Sequence, residues 1–124
     1  MEFEPGAKWR YNNSGYALLG AIIEKASGVV YGEFIRRRIF EPLGMKHSYY
    51  GENAAIIPRR VPGYEKYMGA YVNASFLSMT HPYAAGALLS SVDDLKLWDA
   101  ALYTEKVLHR ETIERMFTPY TLKN

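Results

Sequence analysis

The first sustained apolar rhythm along the chain sets in just after Gly15. Leu19, Ile22, Ile23 and Ala26 recur at helical spacing and give one apolar face, and Gly28 follows Ser27 as a stop. Asn13 and Ser14 are both good capping residues and place the start of this helix. The pattern predicts a second helix over Tyr31–Ile39, burying Tyr31, Phe34, Ile35 and Ile39. Arg36-Arg37-Arg38 then falls on its outer side near the C-terminal end, where positive charge suits the helix dipole. Pro42 and Gly44 end the helical stretch. The rhythm returns after Ser91, which reads as a cap with Asp94 in the third position of a capping box. Leu95, Trp98, Ala101 and Leu102 share a side of that helix. A last short helix runs from Arg110 to Phe117, turns Ile113, Met116 and Phe117 inward, and stops at Thr118-Pro119.

Residues 46–85 keep neither rhythm for long. Prolines at 58, 62 and 82 and glycines at 51, 63 and 69 break them up. Short β segments are expected at Tyr64–Tyr67 and Ala70–Asn73, with a turn at Gly69. Unstructured stretches of this length inside a compact domain are usually functional, and this one is rich in tyrosine and histidine. Before the first helix, Pro5-Gly6 marks a turn and Lys8-Trp9-Arg10 alternates charge and aromatic character. The expected architecture is mainly α and a single domain over 1–124. It comprises an extended lead-in (1–12), a helical pair (13–45), a long loop with a short hairpin (46–85) and a second helical pair (86–124).

Composition narrows the function classes. At 124 residues, 48% apolar and 23% charged, the chain is an ordinary globular domain with material for a modest core. A net charge of +2 is too small to argue for nucleic acid. With no cysteine, disulfides, thiol catalysis and cysteine-ligated metals are excluded. No apolar run is long enough to span a membrane, and the acidic start Met1-Glu2-Phe3-Glu4-Pro5 does not read as a secretory leader. Eleven tyrosines stand out, a residue type suited to clefts and interfaces.

The candidate chemistry is concentrated at Tyr11-Asn12-Asn13, at the mouth of the first helix. On its own the tripeptide has two readings. It is a cap preceded by a packing aromatic, or it is a proton-shuttling phenol beside an amide that positions a substrate. An ordinary phenol, with a pKa near 10, is a poor base at neutral pH, so the second reading needs nearby cations and a nucleophile from elsewhere in the fold. His47, His81 and His109 fit no zinc spacing and read as surface or loop residues. Asp93 and Asp94 are explained by their place in a helix first turn. There is no glycine-rich phosphate loop, no GxSxG elbow and no cofactor motif.

Beyond the tripeptide, the stretch Pro5-Gly6-Ala7-Lys8-Trp9-Arg10-Tyr11-Asn12-Asn13-Ser14-Gly15-Tyr16-Ala17-Leu18-Leu19-Gly20 resembles the middle of the serine β-lactamase-like family: class C β-lactamases, DD-peptidases (penicillin-binding proteins) and related esterases. The resemblance continues through Ile22–Gly28, Ile39–Met45, Arg60–Tyr64, Ala85–Leu95 and Met116–Tyr120. It implies that Tyr11 is the Y-x-N tyrosine that assists proton transfer. It likewise implies that Asn13 contacts the substrate amide and the catalytic lysine, with Asn12 in the variable position. The implied fold is the all-helical lobe set into an α/β sandwich. The implied substrate is a small amide or ester, and the family is often exported. No serine here has lysine three residues later, and no K-T-G or H-x-G follows. The chain is therefore expected to be a segment lacking the nucleophile and inactive alone. The alternative expectation is a non-catalytic helical module that self-associates.

Overall fold

The computed structural model describes residues 2–122. Met1 of the expected lead-in and the last two residues of the expected 86–124 segment lie outside them. The described chain is mainly helical and carries two small antiparallel sheets of two strands each.

Helix α1 spans Asn13–Ser27. Its cap is Asn12, one residue earlier than the sequence suggested: the Asn12 side chain accepts from the Gly15 N–H at 2.9 Å. Asn13 is therefore the first helical residue. At the other end Gly28 takes the left-handed conformation, and its N–H donates to the Glu24 carbonyl at 2.9 Å.

The second helical stretch differs from expectation. Helix α2, Tyr31–Ile35, passes into a π-helical turn, Arg36–Phe40, and then into α3, Glu41–Leu43, so the chain remains helical through Pro42. A proline lacks the N–H for an i−4 bond and crowds the carbonyl behind it. The wider turn, in which the Glu41 N–H reaches back five residues to the Arg36 carbonyl, gives that ring room. Gly44 then ends the run. Its own N–H bonds the Glu41 carbonyl and the Met45 N–H bonds that of Phe40, a Schellman closure that carries Met45 into the core against Phe40.

Tyr31, Ile35, Phe40 and Met45 form the buried cluster, with Ile23, Phe34, Ile39, Tyr50, Tyr83 and Trp98 packed around it. Helix α1 meets this core through a different face from the predicted one. Gly20 is its buried residue and Ile23 is half-buried, whereas Leu19 and Ile22 are 53% and 52% exposed. Gly20 is the point of closest approach, because a Cβ there would lie 2.7 Å from the Tyr83 ring and also strike Ala84.

The 46–85 segment is partly ordered by the rest of the chain. Strand β1, Tyr49–Tyr50, pairs antiparallel with β4, Leu88–Leu89. Asn53 holds the other side of the stem: it donates to Ser78 Oγ at 2.7 Å and accepts from the Met79 N–H at 3.0 Å. A 3-10 turn, Tyr83–Ala85, then rests on α1 at Gly20. The hairpin β2 (Tyr64–Tyr67) and β3 (Ala70–Asn73) occurs at the expected residues, with Met68 and Gly69 both at positive φ as a two-residue turn requires. Every residue from 61 to 77 is exposed.

Helix α4, Val92–Ala101, is capped by Ser91, whose hydroxyl accepts from the Asp94 N–H at 3.2 Å. Of its predicted inner face, Ala101 is buried, Trp98 and Leu102 are half-buried, and Leu95 is 51% exposed. Helix α5, Arg110–Phe117, turns only Ile113 partly inward, and Met116 and Phe117 are exposed. Among the described residues no helix is long and apolar enough to cross a membrane.

Candidate active site

The lead-in to α1 is shaped by its own sequence. Pro5 and Gly6 are the middle of a turn closed by the Ala7 N–H on the Glu4 carbonyl at 3.1 Å, with Gly6 at φ +85°. The chain then runs extended to Asn12, whose φ of −149° and ψ of 109° are those of a helix cap. Tyr11 and Asn13 flank this cap. Tyr11 is 69% exposed and Asn13 is exposed too, so phenol and carboxamide both stand in solvent at the entrance of α1. Capping is the task of Asn12, which leaves the Asn13 side chain free of that duty. The neighbouring Arg10 guanidinium is paired with Glu2, so it is not the cation the Tyr11 reading calls for.

Behind this entrance, α1 is fixed by a second set of residues, of which the sequence pointed only to Tyr31, as a buried one. The Glu24 carboxylate accepts from the Tyr31 N–H at 2.7 Å and so satisfies an orphan donor at the start of α2. Tyr31 packs edge-on against Tyr50, ring centroids 5.9 Å apart, and tilted against Tyr83 at 5.4 Å. Burial raises the Tyr31 and Tyr50 hydroxyls above the ordinary phenol range. The Tyr83 hydroxyl is pushed up to about 12, first by burial and then by the neighbouring Glu24 carboxylate. These phenols stay neutral at physiological pH and serve packing.

A third group ties the two halves together. Asp94, 3% exposed, accepts from the His47 N–H and from Ser48 Oγ, each at 2.7 Å, and Ser48 Oγ lies 2.8 Å from Ser90 Oγ. The sequence placed Asp94 in a capping box, but its carboxylate is turned instead to the strand-leading loop. Spacing along the chain gives no sign of this, since Ser48 and Asp94 are 46 residues apart. His81 and His109 are exposed, as is the His47 side chain. Among the described residues no three histidine, aspartate or glutamate side chains gather as a metal site.

A helical lobe with an exposed tyrosine and asparagine at the mouth of its first helix is the setting in which the known proteins fall into place. A family model described as Beta-lactamase matches residues 1–123, and the chain belongs to that β-lactamase family. It is 34% identical to penicillin-binding protein 4* of Bacillus subtilis, over 98% of this chain and 30% of that protein. Among solved structures, the octameric penicillin-binding protein homologue from Pyrococcus abyssi is 39% identical, with a TM-score of 0.81, over 95% of this chain and 27% of its own. A D-stereospecific amidohydrolase from Streptomyces sp. is 29% identical, with a TM-score of 0.85, over 98% of this chain and 37% of its own. The chain thus spans about a third of the length of these proteins.

Proposed function

We propose that the chain supplies one wall of a serine-hydrolase active site, with Tyr11 as the proton-transfer residue and Asn13 as the group that positions the substrate. The nucleophile lies outside these 124 residues. The observation that carries this reading is the exposure of both side chains on either side of a cap that needs neither of them. In the proposed reaction a serine oxygen adds to an amide or ester carbonyl while its proton passes to Tyr11 Oη, held as the phenolate by a cation that, like the serine, other parts of the fold supply. That proton then goes to the leaving nitrogen or oxygen as the scissile bond breaks. Water repeats the sequence on the acyl-enzyme. Asn13 donates to or accepts from the substrate amide, holding the carbonyl in line. The names of the relatives, penicillin-binding proteins and a D-stereospecific amidohydrolase, favour amide over ester substrates.

The test separates the chain from the whole. The 124-residue chain should give no turnover of a chromogenic cephalosporin or a p-nitrophenyl ester, while a protein that joins it to an S-x-x-K segment should turn over at least one of them. Turnover by the chain alone, or serine labelling within it, would overturn the proposal.

A second reading has its own observation. Helix α1 presents Tyr16, Leu18, Leu19 and Ile22 at 52–62% exposure, an apolar surface of the kind that seeks a partner. The Pyrococcus abyssi homologue is octameric. In this reading the isolated chain self-associates and has no catalytic role.

A further inference from the structure

On the side of the molecule where residues 57–61 meet β1, β4 and the start of α4 lies a groove of about 280 Å³. Arg59, Arg60 and His47 line it together with Ile57, Val61 and Leu89, and no carboxylate does. Among the described residues Arg10, Arg36, Arg37 and Arg110 each pair with a glutamate, whereas Arg59 and Arg60, like Arg38 and Arg115, are in no ion pair. Of the hydroxyls in the groove, Ser90 bonds Ser48, Tyr49 donates to the Lys46 carbonyl, and Ser91 accepts from the Asp94 N–H with its own O–H left to donate. The side-chain donors left for a ligand are therefore the two guanidinium groups, the imidazole and the Ser91 hydroxyl. Arg59 also sits at φ +61°, a conformation that L side chains rarely adopt and that tends to persist at functional sites.

We infer that this groove binds a carboxylate carried on an apolar body, with Arg59 and Arg60 on the anion and Ile57, Val61 and Leu89 along the body. A planar guanidinium fork matches a carboxylate with two parallel hydrogen bonds. The apolar wall distinguishes this ligand from a bare inorganic anion, since each methylene moved out of water strengthens binding by roughly fourfold. The site needs no nucleophile and does not involve Tyr11, so its failure would leave the hydrolase proposal standing. A fatty-acid-like carboxylate and a peptide C-terminus share this chemistry.

The test is titration of the protein at constant ionic strength with acetate, hexanoate, N-acetyl-leucine and inorganic phosphate, following the amide NMR signals of His47, Arg59, Arg60 and Ser90. Hexanoate should saturate these signals at least tenfold more tightly than acetate or phosphate. Whichever of hexanoate and N-acetyl-leucine binds more tightly names the source. The double variant Arg59→Gly/Arg60→Gln, whose glycine suits the positive φ and so preserves the fold, should lose at least tenfold in affinity. Equal binding of acetate and hexanoate, phosphate as the tightest ligand, or unchanged affinity in the double variant would overturn the assignment.

Discussion

Asp94 shows how much a single buried carboxylate can organise. It is nearly inaccessible, yet its charge is met by a backbone N–H and a hydroxyl from a segment far away in sequence. Asp94→Ala would leave the His47 N–H without an acceptor, while the Ser48 hydroxyl can still turn to Ser90 Oγ. The expected result is a loss of about 1–3 kcal/mol of unfolding free energy by urea titration, the cost of one buried group left unpaired, with Asp94→Asn in between because one acceptor remains. A loss below 0.5 kcal/mol, the usual scale of an exposed substitution, would contradict the clamp. At the helix mouth the division of labour is equally local: Asn12 caps, and Tyr11 and Asn13 remain exposed.

Among the elements, those with strong local signals were legible in the sequence. The hairpin at Tyr64–Tyr67 and Ala70–Asn73 announced itself through Gly69, and α4 through Ser91. The first and last helices ran close to the expected bounds. What could not be read were features decided by distant partners. The π-helical turn arises because Pro42 is kept inside a helix that tertiary packing favours, against the local stop signal. The buried side of α1 is set by Gly20 meeting Tyr83 and Ala84, a contact no periodicity encodes. The β1–β4 pair is only two residues long, too short to show alternation. Of the candidate site, Tyr11 and Asn13 are proposed from their motif and stand exposed at the entrance of α1, whereas the contacts of Glu24, Ser48 and Asp94 are made by the fold.

The 3-10 turn at Tyr83 carries a prediction of its own. Its hydroxyl is raised from an ordinary value of 10.0 to about 12 in the folded chain. The protonated phenol is thus favoured by folding: the contribution is fully present below pH 10 and is lost as pH rises through about 12. Stability should fall across that window in a urea titration repeated at several pH values. In Tyr83→Phe the fall should be shallower; an identical slope would contradict the role of burial and Glu24.

The molecule as a whole has few fully buried side chains and many large apolar ones in solvent. Its buried apolar residues are Tyr31, Ile35, Phe40, Met45, Ala87 and Ala101, while the face of α1 from Tyr16 to Ile22 and the hairpin tyrosines stand exposed. Within the tyrosine-rich 46–85 segment the hairpin is itself uncovered, while the 3-10 turn packs on α1. Sedimentation of the isolated chain should therefore show concentration-dependent association, weakened by Leu19→Glu/Ile22→Glu on the exposed face. A monomer at all concentrations would count against the self-associating reading and leave the hydrolase reading untouched.

The role proposed for Tyr11 is to move the proton for a serine supplied from outside this chain. Single-turnover acylation, by a chromogenic cephalosporin or p-nitrophenyl ester, of a protein that joins this chain to an S-x-x-K segment, compared between the unaltered protein and Tyr11→Phe, tests it most directly. Tyr11 is exposed, so the substitution should leave unfolding unchanged while acylation slows by roughly 10²–10⁴-fold. Acylation at the unaltered rate in Tyr11→Phe would contradict the account.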